Sequence, residues 1–170
     1  MRLIYSDTDY LNTDISDEQG HKLYTISTPW AFTKITTITK YHWSGHDSVA
    51  ETMGVIEWHW LGDTIIRFNG REVAAQIMLE KRSWENGRYC WLKPAGSDVK
   101  LARFHKQNLG IFKEFHPPYL DVSSTVVHIM DHIIVTHIYA EELRHQRNQP
   151  RQQSSTMPGT TVQTGMGPSC

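Results

Sequence analysis

Apolar positions along this chain come in two rhythms: short runs set apart by turn residues up to Pro118, and one dense run after Ser123. Residues 21–27 carry Leu23, Tyr24 and Ile26, and residues 33–40 are nearly all β-branched, a composition that fits a pleated surface better than a helix. Residues 53–60 alternate, with Ile56, Trp58 and Trp60 on one face and Glu57 and His59 on the other, which predicts a half-buried strand. Gly62-Asp63 turns the chain into a strand over 64–68, and Asn69-Gly70, a dipeptide that tolerates positive φ, marks a hairpin. Further strands are expected over 73–79, 99–104 and 110–115, the last stopped by Pro117-Pro118. Between Trp84 and Trp91 a second Asn-Gly separates two aromatic-bearing arms that can pair across strands. Residues 1–20 read as turn-rich and residues 41–48 as a loop.

The second rhythm predicts a helix. Ser123 or Ser124 can cap its start, and Val126, Val127, Met130, Ile133, Ile134 and Ile138 follow at helical spacing before the polar and basic residues 141–147. Its apolar positions cover much more than one stripe, so it needs burial around most of its circumference. A strand over 133–139 is the alternative, since Ile and Val also favour sheets. The expected fold is mainly β, of the α+β class: an antiparallel β-barrel or strongly curved meander sheet with one apolar C-terminal helix packed inside or across it. Residues 1–147 form the single domain, closed by a helix over about 124–147. Residues 148–170, rich in Gln, Ser, Thr, Pro and Gly, cannot offset their ordering entropy and are expected to be a disordered polar tail.

Composition narrows the function classes. A chain of 170 residues can bury one core without disulfides or metals, and Cys90 and Cys170 do not make a disulfide framework. A formal net charge of −1 gives no global field for a polyanion, so nucleic acid is not an expected partner. The N-terminus turns polar after four residues, and the apolar stretch 126–139 is broken by Asp131 and three histidines. With no signal peptide or spanning segment in this pattern, a cytoplasmic location is expected.

Ten histidines raise a metal hypothesis. His128 and His132 share a helical face, and His42, His46 and His59 are further candidates, but catalytic zinc needs three converging ligands and the metalloprotease pattern lacks its glutamate, replaced by Ile129. The plainer reading is hydrogen-bonded histidine, so no cofactor is predicted and a divalent metal is the alternative. Cys90, between Tyr89 and Trp91, reads as core packing rather than a nucleophile. No G-x-S-x-G elbow, P-loop or G-x-G-x-x-G cradle is present. Lys81, Arg82 and Arg88, flanked by Trp84 and Trp91, form a basic-aromatic patch that could sit at a headgroup layer, with a solvated hairpin as the plain alternative.

In this order the residues resemble a family of uncharacterised single-domain proteins abundant in mushroom-forming fungi, the domain of unknown function numbered 6593. Residues 20–29, the Ile56-Glu57-Trp58 strand, the hairpin at 86–91 and Ile133-Ile134-Val135-Thr136 with Glu142 and Arg144 carry the resemblance. Strands followed by one apolar helix are also similar to the tubby, LURP-one and scramblase-like architecture, a β-barrel around a hydrophobic helix. That resemblance implies an intracellular non-catalytic binding module for a lipid or membrane surface, and it supplies no catalytic motif. A His-dependent enzyme or metal protein using the helix histidines is the alternative reading. A protein-interaction adaptor using the tail is a third. The sequence fixes no oligomeric state.

Overall fold

The computed structural model describes residues 1–45, 47–59, 62–74, 84–85, 89–92, 101–108 and 115–153. Eleven strands form one sheet: β1 (Arg2–Tyr5), β2 (Thr13–Ser16), β3 (Lys22–Ser27), β4 (Lys34–Ser44), β5 (Asp47–Trp58), β6 (Ile65–Phe68), β7 (Arg71–Ala74), β8 (Trp84–Glu85), β9 (Tyr89–Leu92), β10 (Ala102–His105) and β11 (Tyr119–Val122). All pairings are antiparallel, in the order β7-β6-β5-β4-β3-β2-β1-β11-β10-β9-β8. This is the chain order drawn round a ring and opened between β7 and β8, which do not pair among the described residues. A 3₁₀ segment, Ser124–Ile129, leads into helix α1, Met130–Gln153.

The sheet curves around the helix because its inner face is apolar strand by strand. Leu3 and Tyr5, Ile15, Tyr24 and Ile26, Ile38, Ile56 and Trp58, Ile66 and Phe68, Phe104, and Leu120 and Val122 are all buried. They meet α1, in which Ile133, Ile134, Val135 and every residue from His137 to Glu142 are buried too. Burial around the whole circumference is what the dense apolar run demanded. Two bulges help the bend: the β2–β3 register shifts at Ile15/Ser16, and the β4–β5 register shifts at Ile38/Thr39. At the second, Met53 and Gly54 are consecutive yet both buried. A Cβ on Gly54 would sit 3.6 Å from Val135 Cγ2, so the sheet and helix nearly touch there.

The Asn69-Gly70 turn forms as the sequence predicts, both residues having positive φ (51° and 71°). Other readings need correction. The turn-rich opening holds β1 and β2, and residues 41–44 and 47–48 are strand rather than loop, because β4 and β5 stay paired out to Ser44 and Asp47. A strand also forms directly after Pro117-Pro118, where β11 lies between β1 and β10. Residues 133–139 are helical, which removes the strand alternative. Ser123 occupies the cap position without a side-chain bond to the helix; its hydroxyl meets Thr125 Oγ1 at 2.8 Å instead. Phe115 lies outside the strands, and the rest of the strand expected over 110–115 falls outside the described residues, as do residues 75–79 and 154–170. Helix α1 includes residues 148–153 of the predicted tail.

Candidate functional site

Antiparallel order fixes the two ends of the structure. β1, β3 and β10 run toward the end where α1 leaves, so residues 6–12 and 28–33 connect strands there, and residues 106–108 and 115–118 lie at the same end. Side-chain contacts agree: Tyr10 and Lys34 reach Glu142, whereas Tyr24 and Lys40 reach Asp131 near the helix start.

A polar collar surrounds the helix at its exit. Glu142, with its side chain only 4 % exposed, accepts from Lys34 Nζ at 2.7 Å, Tyr10 Oη at 2.9 Å and Gln146 Nε2 at 2.8 Å. Burial pushes its carboxyl pKa up, but the Lys34 and Gln146 hydrogen bonds, the Lys34 charge and the Tyr10 hydroxyl outweigh this and hold it below the ordinary value. Burial, reinforced by the Glu142 charge and hydrogen bond, raises the Tyr10 phenol well above its ordinary range. Glu141, equally buried, is bound by Arg144 through Nε at 2.8 Å and Nη2 at 2.5 Å. Lys34 also lies 5.4 Å above the Trp58 ring, which stacks on Tyr139 and donates to Thr36 Oγ1 at 2.8 Å.

This collar pins the β3–β4 loop at both ends. Thr28 donates its N–H to Asn12 Oδ1 at 2.9 Å and its hydroxyl to Leu11 O at 3.0 Å, while Lys34 is held by Glu142. Between these anchors Pro29-Trp30-Ala31-Phe32-Thr33 arches away from the core, and Trp30 and Phe32 are fully exposed, at 102 % and 109 %. Phe115, 63 % exposed, projects from another connection at the same end. The exit end is therefore a rim of exposed aromatics on an internally paired base.

The residues singled out from sequence are dispersed. His128 is exposed at the helix-entry end, and His132, also exposed, packs edge-on against Phe68 with ring centroids 4.6 Å apart. His42 pairs with Glu51 at 2.5 Å on the β4–β5 hairpin, and His59 lies 3.9 Å from Glu57 at the end of β5. His137, the third helix histidine, is buried against the rings of Phe104 and Tyr5. Among the described residues no three His, Cys, Asp or Glu side chains gather as a metal site. His46, Lys81, Arg82 and Arg88 lie outside the described residues, and Trp84 and Trp91 are described only as backbone positions in β8 and β9.

Neither Trp30 nor Phe32 is among the site candidates named from the sequence above. The available signal was an aromatic pair spaced i, i+2 in a proline-containing break between two strands, where no core position is on offer.

Among the described residues no helix is long and apolar enough to cross a membrane. No curated protein and no solved structure matches the chain. The model of a family of unknown function (DUF6593) matches residues 8–146, from the β1–β2 loop to the helix exit and including Trp30, Phe32 and the whole collar. The chain belongs to that family.

Proposed function

We propose that this domain is a non-catalytic binding module that docks on the cytoplasmic surface of a membrane through its helix-exit rim. The exposure of Trp30 and Phe32 on one anchored loop carries this reading. Single exposed apolar residues are ordinary, but two unsupported aromatics on one short loop, with Phe115 at the same end, make a patch. Each large apolar side chain left in water forgoes about 1.5–3 kcal/mol relative to burial, and aromatic rings favour the membrane interface. A curved sheet around an apolar helix is also similar to the tubby, LURP-one and scramblase-like architecture, which fits a lipid-associated role.

The electrostatics indicate which force drives docking. Lys34 is paired with Glu142 and Arg144 with Glu141, so the collar contributes little net charge. Aromatic insertion is then the main attraction, and vesicle binding should survive high salt, which screens exposed charges.

Flotation with phosphatidylcholine vesicles, with and without phosphatidylserine, tests the proposal. The protein should float with both, and Trp30→Ser/Phe32→Ser should bind at least about tenfold more weakly with its thermal unfolding unchanged, because neither side chain contributes to the core. A wild-type protein that stays with the dense fraction, or a double variant that floats equally well, overturns it. Binding confined to a protein partner would do the same.

A further inference from the structure

At the opposite end, where the chain enters the helix, a cleft of about 230 Å³ opens between the first residues of β3, the middle of β4 and the 3₁₀ segment. Leu23, Val127 and Met130 supply apolar walls, and Tyr24, Lys40 and Asp131 form a hydrogen-bonded polar side. His128 and Met1 also line it.

Counting donors and acceptors indicates what the cleft can hold. Each oxygen of Asp131 already holds one donor: Oδ1 accepts from Tyr24 Oη at 2.7 Å and Oδ2 from Lys40 Nζ at 2.7 Å. An ammonium group carries three N–H donors, and the bond to Asp131 uses one of those on Lys40. The cleft thus presents spare N–H donors on Lys40, together with the His128 ring, while each oxygen of its carboxylate already holds one donor. Val127 and Met1 leave 41 % and 46 % of their surface in water beside these donors. The volume lies below the roughly 300–1,000 Å³ of sites for drug-sized ligands, so the occupant is small.

We infer that this cleft binds a small amphipathic anion, its carboxylate head bonded by Lys40 and His128 and its short apolar body laid against Leu23, Val127 and Met130. The site is independent of the aromatic rim and lies at the other end of the helix.

Hexanoate is the probe, titrated into the full chain with the Met methyl and His ring signals followed by NMR; hexan-1-ol tests the need for charge and acetate the need for the apolar body. Hexanoate should give saturable shifts at Met130 and His128, with both controls at least about tenfold weaker. His128→Ala, a change at an exposed position that leaves the core untouched, should weaken hexanoate about threefold or more, and folded Lys40→Met about tenfold or more. Absence of saturation, equal affinity for hexan-1-ol, or unchanged hexanoate affinity in either folded variant overturns the inference. If Lys40→Met does not fold, His128→Ala alone decides.

Discussion

Glu142 shows how much at the residue scale depends on partners distant in sequence. Read locally, residues 141–147 are the polar end of a helix. In the fold Glu142 is buried because Lys34 and Tyr10, 108 and 132 positions away, bring a charge and a hydroxyl to it. Periodicity within one segment carries no trace of such pairings. Because the folded carboxyl pKa lies below its unfolded value, the group contributes stability above the ordinary glutamate pKa of about 4.3, and that contribution is lost as pH falls through the folded value. Glu142→Gln should therefore cost about 1–3 kcal/mol near neutral pH and much less in acid, which urea unfolding followed across that range would show. The cost stays below that of breaking a fully buried pair because Lys34, with 38 % of its side chain exposed, can turn to solvent. Equal destabilisation at both pH values would remove Glu142 from the acid response.

At the scale of elements, legibility follows length and burial. The alternating run over 53–60 as far as the described residues reach, the Asn69-Gly70 hairpin and the dense helical run could all be read, since each has a periodicity or turn chemistry of its own. β1, β2 and β11 have four residues each, too few for alternation to stand out, and their burial comes from the closure of β1 on β11. The outer half of the β4–β5 hairpin reads as a loop for a different reason: from His42 to Glu51 its described side chains are exposed, so no apolar face marks the ladder. Two substitutions test which features hold the elements in place. Gly70→Ala forces a side chain onto a residue with φ of 71° and should cost about 1–2 kcal/mol. Ile138→Ala opens a cavity where the sheet wraps the helix and should cost about 2–5 kcal/mol in denaturant unfolding. A loss at Ile138 no larger than that at Gly70 would mean that the helix is not the centre of the core.

For the whole molecule, the ring-like strand order places the apolar helix inside, and the proposed docking rim and cleft lie at its two ends. The exit end carries Trp30, Phe32 and Phe115 over a collar of paired charges; the entry end carries the Lys40–Asp131 cleft. Neither end could be assembled from sequence, because each gathers residues from segments distant in the chain: the rim from separate loops, the cleft from β3, β4 and the start of the helix. Histidine spacing drew attention to His128 and His132, yet His128 lines the cleft while His132 lies against Phe68. Membrane docking by the rim makes Trp30 the residue that enters lipid. Vesicles containing brominated phosphatidylcholine quench a tryptophan only when its ring reaches the acyl region. They should quench part of the emission of the wild-type protein, and that part should vanish in Trp30→Phe, which keeps an aromatic ring on the loop and still floats. Quenching that is absent in the wild type, or unchanged in Trp30→Phe, would contradict rim insertion.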